Sequence, residues 1–203
     1  MSRTLVVFGA QNSAGALAAR QYGNDGYDVV LVADDAQCVR ALTTVLESEG
    51  ISTRTFTGDV SSPEHAKAMI RSIRSTVGPI DAVYYGLDPL NTADYTAALN
   101  PASVIEACAL TYLSMTAVVD EVLPEMRSRK SGAILVEHNG TEAAAQPTPG
   151  DDDPATAACS YLQGLQQELA CDGVHIGMLS IGSLFCRHNV GFLQRSSGPF
   201  SKA

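Results

Sequence analysis

The sequence predicts an α/β fold: one doubly wound parallel sheet with helices on both faces. Two observations carry this. Strand-like and helix-like segments alternate along the chain, and most of the strand-like ones are continuous apolar runs, as strands covered on both faces require. Residues 4–17, Thr-Leu-Val-Val-Phe-Gly-Ala-Gln-Asn-Ser-Ala-Gly-Ala-Leu, run from a short apolar strand through a glycine turn into an alanine-rich helix. That order opens a Rossmann-type nucleotide-binding unit. Gly9 makes the tight turn, Gly15 lets the helix lie close to the sheet, and the helix N-terminus faces a pyrophosphate. Ser13 stands where a second glycine is common, so the motif draws its weight from the strand before it and the helix after it.

The elements follow in order. Strands are expected over 5–8, 28–32, 52–56, 82–85, 133–137 and 174–180. Helices are expected near 14–22, 36–49, 63–77, 103–127 and 154–170. Ser62-Pro63 is a helix start, with serine as N-cap and proline in the first turn. Gly50 and Gly173 sit where helix C-caps belong. The alternation implies right-handed crossovers and a single domain over 1–185, with an irregular tail over 186–203. The loop 140–153 is small, polar and acidic and contains two prolines.

Composition narrows the function classes. A chain of 203 residues, 45% of them hydrophobic, suits one compact domain with a sizeable core. Its net charge of -9 opposes binding to nucleic acid or to an anionic membrane. Backbone amides still bind phosphate without any lysine. Five cysteines, Cys38, Cys108, Cys159, Cys171 and Cys186, have no paired spacing and read as reduced thiols of a cytoplasmic protein. His65, His138, His175 and His188 have no metal-ligand spacing, and no metal is expected. No apolar run reaches membrane-spanning length, and no signal peptide precedes the first strand. Asn139-Gly140-Thr141 matches a glycosylation sequon but reads as an ordinary turn.

Several motifs, in their order and spacing, resemble the short-chain dehydrogenase/reductase family over about residues 3–185. Gly9-Ala10-Gln11-Asn12-Ser13-Ala14-Gly15 resembles the cofactor turn, and Asp59-Val60 resembles the pair that contacts the adenine ring. Gly78-Pro79-Ile80-Asp81, Leu123-Pro124-Glu125-Met126 and Gly132-Ala133-Ile134-Leu135-Val136 resemble the fourth-strand entry, the end of the fourth helix and the fifth strand. The stretch from Glu168-Leu169-Ala170 to Ile181-Gly182 follows the family through the sixth strand, with Ile181 in place of a proline. The resemblance implies NAD or NADP as cofactor, and oligomers built through the helices near 103–127 and 154–170.

The catalytic positions depart from that pattern. The family's serine falls at His138-Asn139, its tyrosine at Asp151 or Asp152, its lysine at Ala155 or Thr156, and its helical asparagine near Thr111. Its Asn-Asn-Ala-Gly becomes Tyr85-Gly86-Leu87-Asp88, and its final strand and Asp-Gly-Gly ending have no counterpart. In the family the tyrosine exchanges a proton with the substrate oxygen while the lysine lowers the tyrosine pKa and holds the nicotinamide ribose. Tyr161 is the nearest tyrosine, but Leu165 sits one turn later.

The expected cofactor-binding set is therefore Gly9, Gln11, Asn12, Ser13, Gly15, Asp34, Asp59, Val60 and Gly86. Asp34 or Asp35 can hold a ribose 2′-hydroxyl and repel a 2′-phosphate, favouring NAD; a helix N-cap is the alternative for either. Catalytic residues stay open, with His138, Asn139 and Tyr161 as candidates. Glu137 and His138 are adjacent in a strand, so they face opposite sides. Asp151-Asp152-Asp153 reads as a solvated run and N-cap. The stripes Val104, Cys108, Met115, Val119, Val122 and Ala158, Leu162, Leu165, Leu169 read first as core, while Ala107, Ala157, Ala158 and Gly164 permit close helix approach. Together these features fit a dinucleotide-binding pseudoenzyme that serves as a structural or regulatory subunit, alone or beside an active relative. The alternatives are an oxidoreductase with unusual catalytic residues and a nucleotide-sensing module.

Overall fold

A computed structural model describes residues 2–86, 101–138 and 154–180. The elements are β1 (Arg3–Phe8), α1 (Ser13–Asn24), β2 (Tyr27–Ala33), α2 (Ala36–Ser48), β3 (Thr53–Thr57), α3 (Pro63–Val77), β4 (Ala82–Tyr85), α4 (Pro101–Arg129), β5 (Gly132–His138), α5 (Pro154–Leu169) and β6 (Val174–Ser180). Each expected element is present, with ends that move by one or two residues. The loop 140–153 and the tail 186–203 lie outside the described residues.

The six strands form one sheet in the order β3-β2-β1-β4-β5-β6. All five pairings are parallel. The order reverses direction between β1 and β4, so the chain leaves their carboxyl ends on opposite sides and opens a crevice there. β4 is buried throughout and β1 is buried from Thr4 to Phe8, whereas β3, at the sheet edge, keeps polar residues exposed. That contrast follows from position: a central strand meets helices on both faces and an edge strand meets water.

Two apolar layers sandwich the sheet. Val6, Phe8, Val83, Tyr85, Ile134 and Val136 join α3, α4 and α5 on one face. Leu5, Val7, Leu31, Ala82 and Tyr84 join the α1–α2 face. Alternate residues of β1 and β4 thus serve opposite layers, the period-2 rule of a strand. Of the expected stripes, Met115, Val119, Val122, Ala158, Leu162 and Leu169 are buried in the first layer. The side chains of Val104, Ala107 and Cys108 lie outside the described residues. Ala158 belongs to the core, as its stripe implies. Ala157 and Gly164 are exposed. Cys38 and Cys171 are exposed and Cys159 is buried.

The helix ends follow local chemistry. Ser62 Oγ accepts from the His65 amide at 3.3 Å, and Pro63 opens α3. At the end of α2 the Gly50 amide donates to Glu47 O at 3.0 Å and the Ile51 amide to Leu46 O at 3.0 Å. This is a Schellman closure, with Leu46 and Ile51 both buried beside it. At the amino ends of the strands, Asp81 accepts from the Thr4 amide at 2.8 Å and pairs with Arg129 at 2.6 Å, which clamps β1, β4 and α4 together. Among the described residues no helix is long and apolar enough to cross a membrane.

Gly50 has φ of 81° and nothing within 4 Å of where a Cβ would stand. Gly50→Ala is therefore expected to act through backbone strain alone, at a cost of about 1 kcal/mol. The shift in urea midpoint measures it; no shift means that the Schellman closure contributes nothing to stability.

Candidate functional site: the carboxyl ends of β1, β4 and β5

The turn after β1 is built from its glycines. Gly9 adopts φ of 81°, in the left-handed region that favours glycine. A Cβ on Gly15 would stand 2.5 Å from the Gly9 carbonyl oxygen, so only glycine lets α1 start this close to the turn. Asn12 is the N-cap of α1, with extended backbone, and its Oδ1 accepts from the Gly15 amide at 2.6 Å. The Asn12 amide donates back to Gly9 O at 3.1 Å. Gln11 and Ser13 are exposed on this turn.

Asn12 also reaches across the switch point. Its Nδ2 donates to the Gly86 carbonyl at 2.6 Å and to Glu137 Oε2 at 3.2 Å. The Tyr84 hydroxyl donates to the same Glu137 oxygen. Burial, and then this hydrogen bond, push the Tyr84 phenol far above its ordinary range. Tyr84 and Glu137 are both buried. The carboxyl ends of β1, β4 and β5 therefore meet around one carboxylate. Of the expected cofactor set, the structure brings Gly9, Asn12, Gly15 and Gly86 together here.

Asp34, Asp59 and Val60 sit at the ends of β2 and β3. Asp35, not Asp34, caps α2, accepting from the Gln37 amide at 3.0 Å. The capping alternative thus belongs to Asp35, and Asp34 has no such duty. Burial and the nearby charge of Asp59 raise the Asp34 carboxyl above its usual range. The Ser61 side chain and backbone amide hold Asp59 below it, the Ser61 amide at 2.8 Å from Asp59 Oδ1. His65 Nδ1 lies 3.5 Å from Asp59 Oδ2. Val60 is buried in the α3–α5 layer, so its side chain serves packing.

Of the catalytic candidates, only Tyr161 has a described side chain. His138 ends β5 opposite Ser180, with its side chain outside the described residues, as are Asn139 and Asp151–Asp153. Tyr161 packs against the α4–α5 layer and donates to Asp120 Oδ1 at 2.9 Å. Burial first, then Asp120, raise its pKa to about 12. A proton-exchanging tyrosine gains from the opposite shift. No cluster of three metal-ligating residues occurs among the described residues.

Sequence reasoning missed Tyr84 and the role of Glu137. The available signal was a carboxylate and a tyrosine inside two otherwise apolar parallel strands. Burial in such strands requires polar groups to find partners.

A model of the short chain dehydrogenase family matches residues 3–150, and the chain belongs to that family. No curated protein matches the chain. Among solved structures, a metagenomic short-chain oxidoreductase in complex with NADP superposes with a TM-score of 0.71 at 22% identity, covering 89% of this chain and 82% of its own. A 3-oxoacyl (acyl-carrier-protein) reductase from Agrobacterium tumefaciens C58 with NADP bound gives 0.70 at 21%, over 88% and 69%. The L-sorbose reductase of Gluconobacter frateurii, complexed with NADPH and L-sorbose, gives 0.68 at 18%, over 98% and 81%. At these identities the likeness establishes the fold.

A Cβ on Gly86 would stand 2.5 Å from both Glu137 Oε2 and Tyr84 Cε1. Gly86→Ala is expected to lower stability by about 1–3 kcal/mol through overpacking. The loss should shrink in a Tyr84→Ala background, because the two positions share that space. Strict additivity in the double-mutant cycle would show that they do not compete.

Proposed function

We propose that this family member binds a dinucleotide at the β1–β4 crevice and has lost the family's usual proton-moving pair, acting as a structural or regulatory subunit. The observation that carries the second half lies in the chain itself. None of the seven tyrosines, at 22, 27, 84, 85, 95, 112 and 161, is followed four residues later by lysine, and the chain has only three lysines, Lys67, Lys130 and Lys202. A lysine one helical turn after the tyrosine is what would lower the tyrosine pKa and hold the ribose. Lys130 precedes β5, at the opposite end of the sheet from the crevice.

The residues present fit a dinucleotide. The left-handed Gly9, and Gly15, whose Cβ would meet the Gly9 carbonyl, let the N-terminus of α1 lie close against the turn. Asn12 commits its Oδ1 to the Gly15 amide, which leaves the amides of Ser13 and Ala14, at the positive end of α1, as phosphate donors. This also suits an acidic chain, because the phosphate charge is met by backbone dipoles. Asp34, released from capping duty, would accept from a ribose hydroxyl, and Asp59 would orient the adenine. When bound, the nicotinamide supplies a hydride donor or acceptor. The NADP named for the solved relatives would meet the Asp34 carboxylate through its extra phosphate, so NAD(H) is the proposed preference.

An oligomer, either of this chain alone or with an active relative, is proposed through α4 and α5. Leu110 and Leu113 of α4 support it, being 40% and 53% exposed. Large apolar side chains grouped on one helix face mark a contact surface. Light scattering at micromolar protein is expected to give a mass above the monomer; a monomer mass removes this partner face.

The central test joins titration to turnover. NAD(H) is expected to raise the melting temperature more than NADP(H) at equal concentration. Asp34→Ala should narrow that gap, and tighter NADP(H) binding by the native chain would remove Asp34 from the ribose. A carbonyl and alcohol screen with both cofactors is expected to show rates about 10²–10⁴-fold below those of an active relative. Turnover comparable to a relative's would overturn the pseudoenzyme reading, and a chain that binds neither cofactor would overturn the dinucleotide reading.

A further inference from the structure

We infer that Glu137 is a positioning residue of this site, acting on the N-terminus of α1 through Asn12. The inference rests on the dinucleotide reading for its functional consequence, but its structural half stands on geometry alone. A primary amide is fixed in space when its oxygen and both of its hydrogens are committed. Asn12 meets that condition. Its Oδ1 accepts from the Gly15 amide at 2.6 Å, and its Nδ2 donates to Gly86 O at 2.6 Å and to Glu137 Oε2 at 3.2 Å. Either acceptor alone leaves the amide free to pivot about a single bond. The two together set its plane, and with it the direction of the capping oxygen.

Tyr84 holds the carboxylate in turn. Its hydroxyl donates to the same Oε2, so a single oxygen receives both donors. The Tyr84–Glu137 pair also fills the space that a side chain at position 86 would take. This lets the end of β4 approach the turn closely enough for the Gly86 carbonyl to reach Asn12. The Gly86 amide is itself held by Phe8 O at 3.0 Å, so the brace is continuous from β5 through β4 to the turn after β1. Glu137 lies 125 residues from Asn12 in the chain, and in the fold they are hydrogen-bonded.

The test uses a variant that removes polar partners together, because replacing both members of a buried pair by apolar groups avoids leaving one unsatisfied. In the full-length Tyr84→Phe/Glu137→Leu double variant, hydrogen exchange at the Gly15 amide, followed by NMR, is expected to accelerate about tenfold, and the Kd for NAD to rise about tenfold. Glu137→Gln should keep both values near native, since one side-chain oxygen suffices for both donors. Asn12→Ser, which keeps a capping oxygen and cannot span to Glu137, should weaken NAD binding while leaving α1 formed. Unchanged Gly15 exchange in the double variant overturns the inference, and so does faster exchange with unchanged NAD affinity. A general loss of packing would slow or speed exchange throughout the sheet and would not be rescued by glutamine. If the native protein binds no NAD, the dinucleotide reading falls, and the Gly15 exchange rate still decides whether Glu137 positions the cap.

Discussion

The side chain of Asn12 is the point on which the site depends. The sheet order β3-β2-β1-β4-β5-β6 parts the chain at β1 and β4, and a parting of strands leaves backbone ends with nothing local to hold them. Asn12 spans that gap with an oxygen on α1, one hydrogen on β4 and the other on β5. The helix start, the glycine turn and two strand ends are therefore tied through one side chain. A site that must present backbone amides to an anion gains from this, because electrostatic help from dipoles requires that they already point the right way.

The electrostatics around the crevice have one sign. Asp34, Asp59 and Glu137 lie at the ends of β2, β3 and β5, in a chain whose net charge is -9. Burial, and then the nearby charge of Asp59, raise the Asp34 carboxyl, and Asp59 is steadied by Ser61. No side-chain cation is part of the described turn, so the fold relies on the helix N-terminus for any phosphate. The same absence of lysine bears on the chemistry. Tyr161 hydrogen-bonds to a carboxylate and is pushed up to about 12, where an acid of the family's kind is pulled down. The turn after β1 keeps Gly9, Gly15 and the Asn12 cap, with Ser13 where a second glycine is common, while no tyrosine of the chain is followed four residues later by lysine; this contrast motivates the proposed subunit role.

The acidic pair at the end of β2 shows how a single step of backbone decides a role. Asp34 and Asp35 are chemically equal, and either can cap a helix. Asp35 stands one residue before α2 and takes the Gln37 amide. That leaves Asp34 at the end of β2 with no capping role. Within β5, strand alternation gives the buried α1 face to Glu137, beside Tyr84 and Asn12.

Features that depend on neighbours within about one turn of chain were legible in the sequence by itself. The six strands and five helices, the Ser62 cap, the Gly50 closure and the glycine turn all follow from periodicity, capping chemistry and φ preference, which act over a few residues. The apolar stripes of α4 and α5 were read as core for the same reason, and for most of their described members the structure agrees. What only the tertiary structure decided is who meets whom at the crevice. The bonds from Asn12 to Gly86 and to Glu137 join residues 74 and 125 positions apart, and nothing local marks such partners. Asp35 took the cap and Tyr161 met Asp120, because each depends on how whole elements pack. A pattern along the chain states which face of a strand or helix is buried; the distance between two faces exists only once the sheet has been assembled.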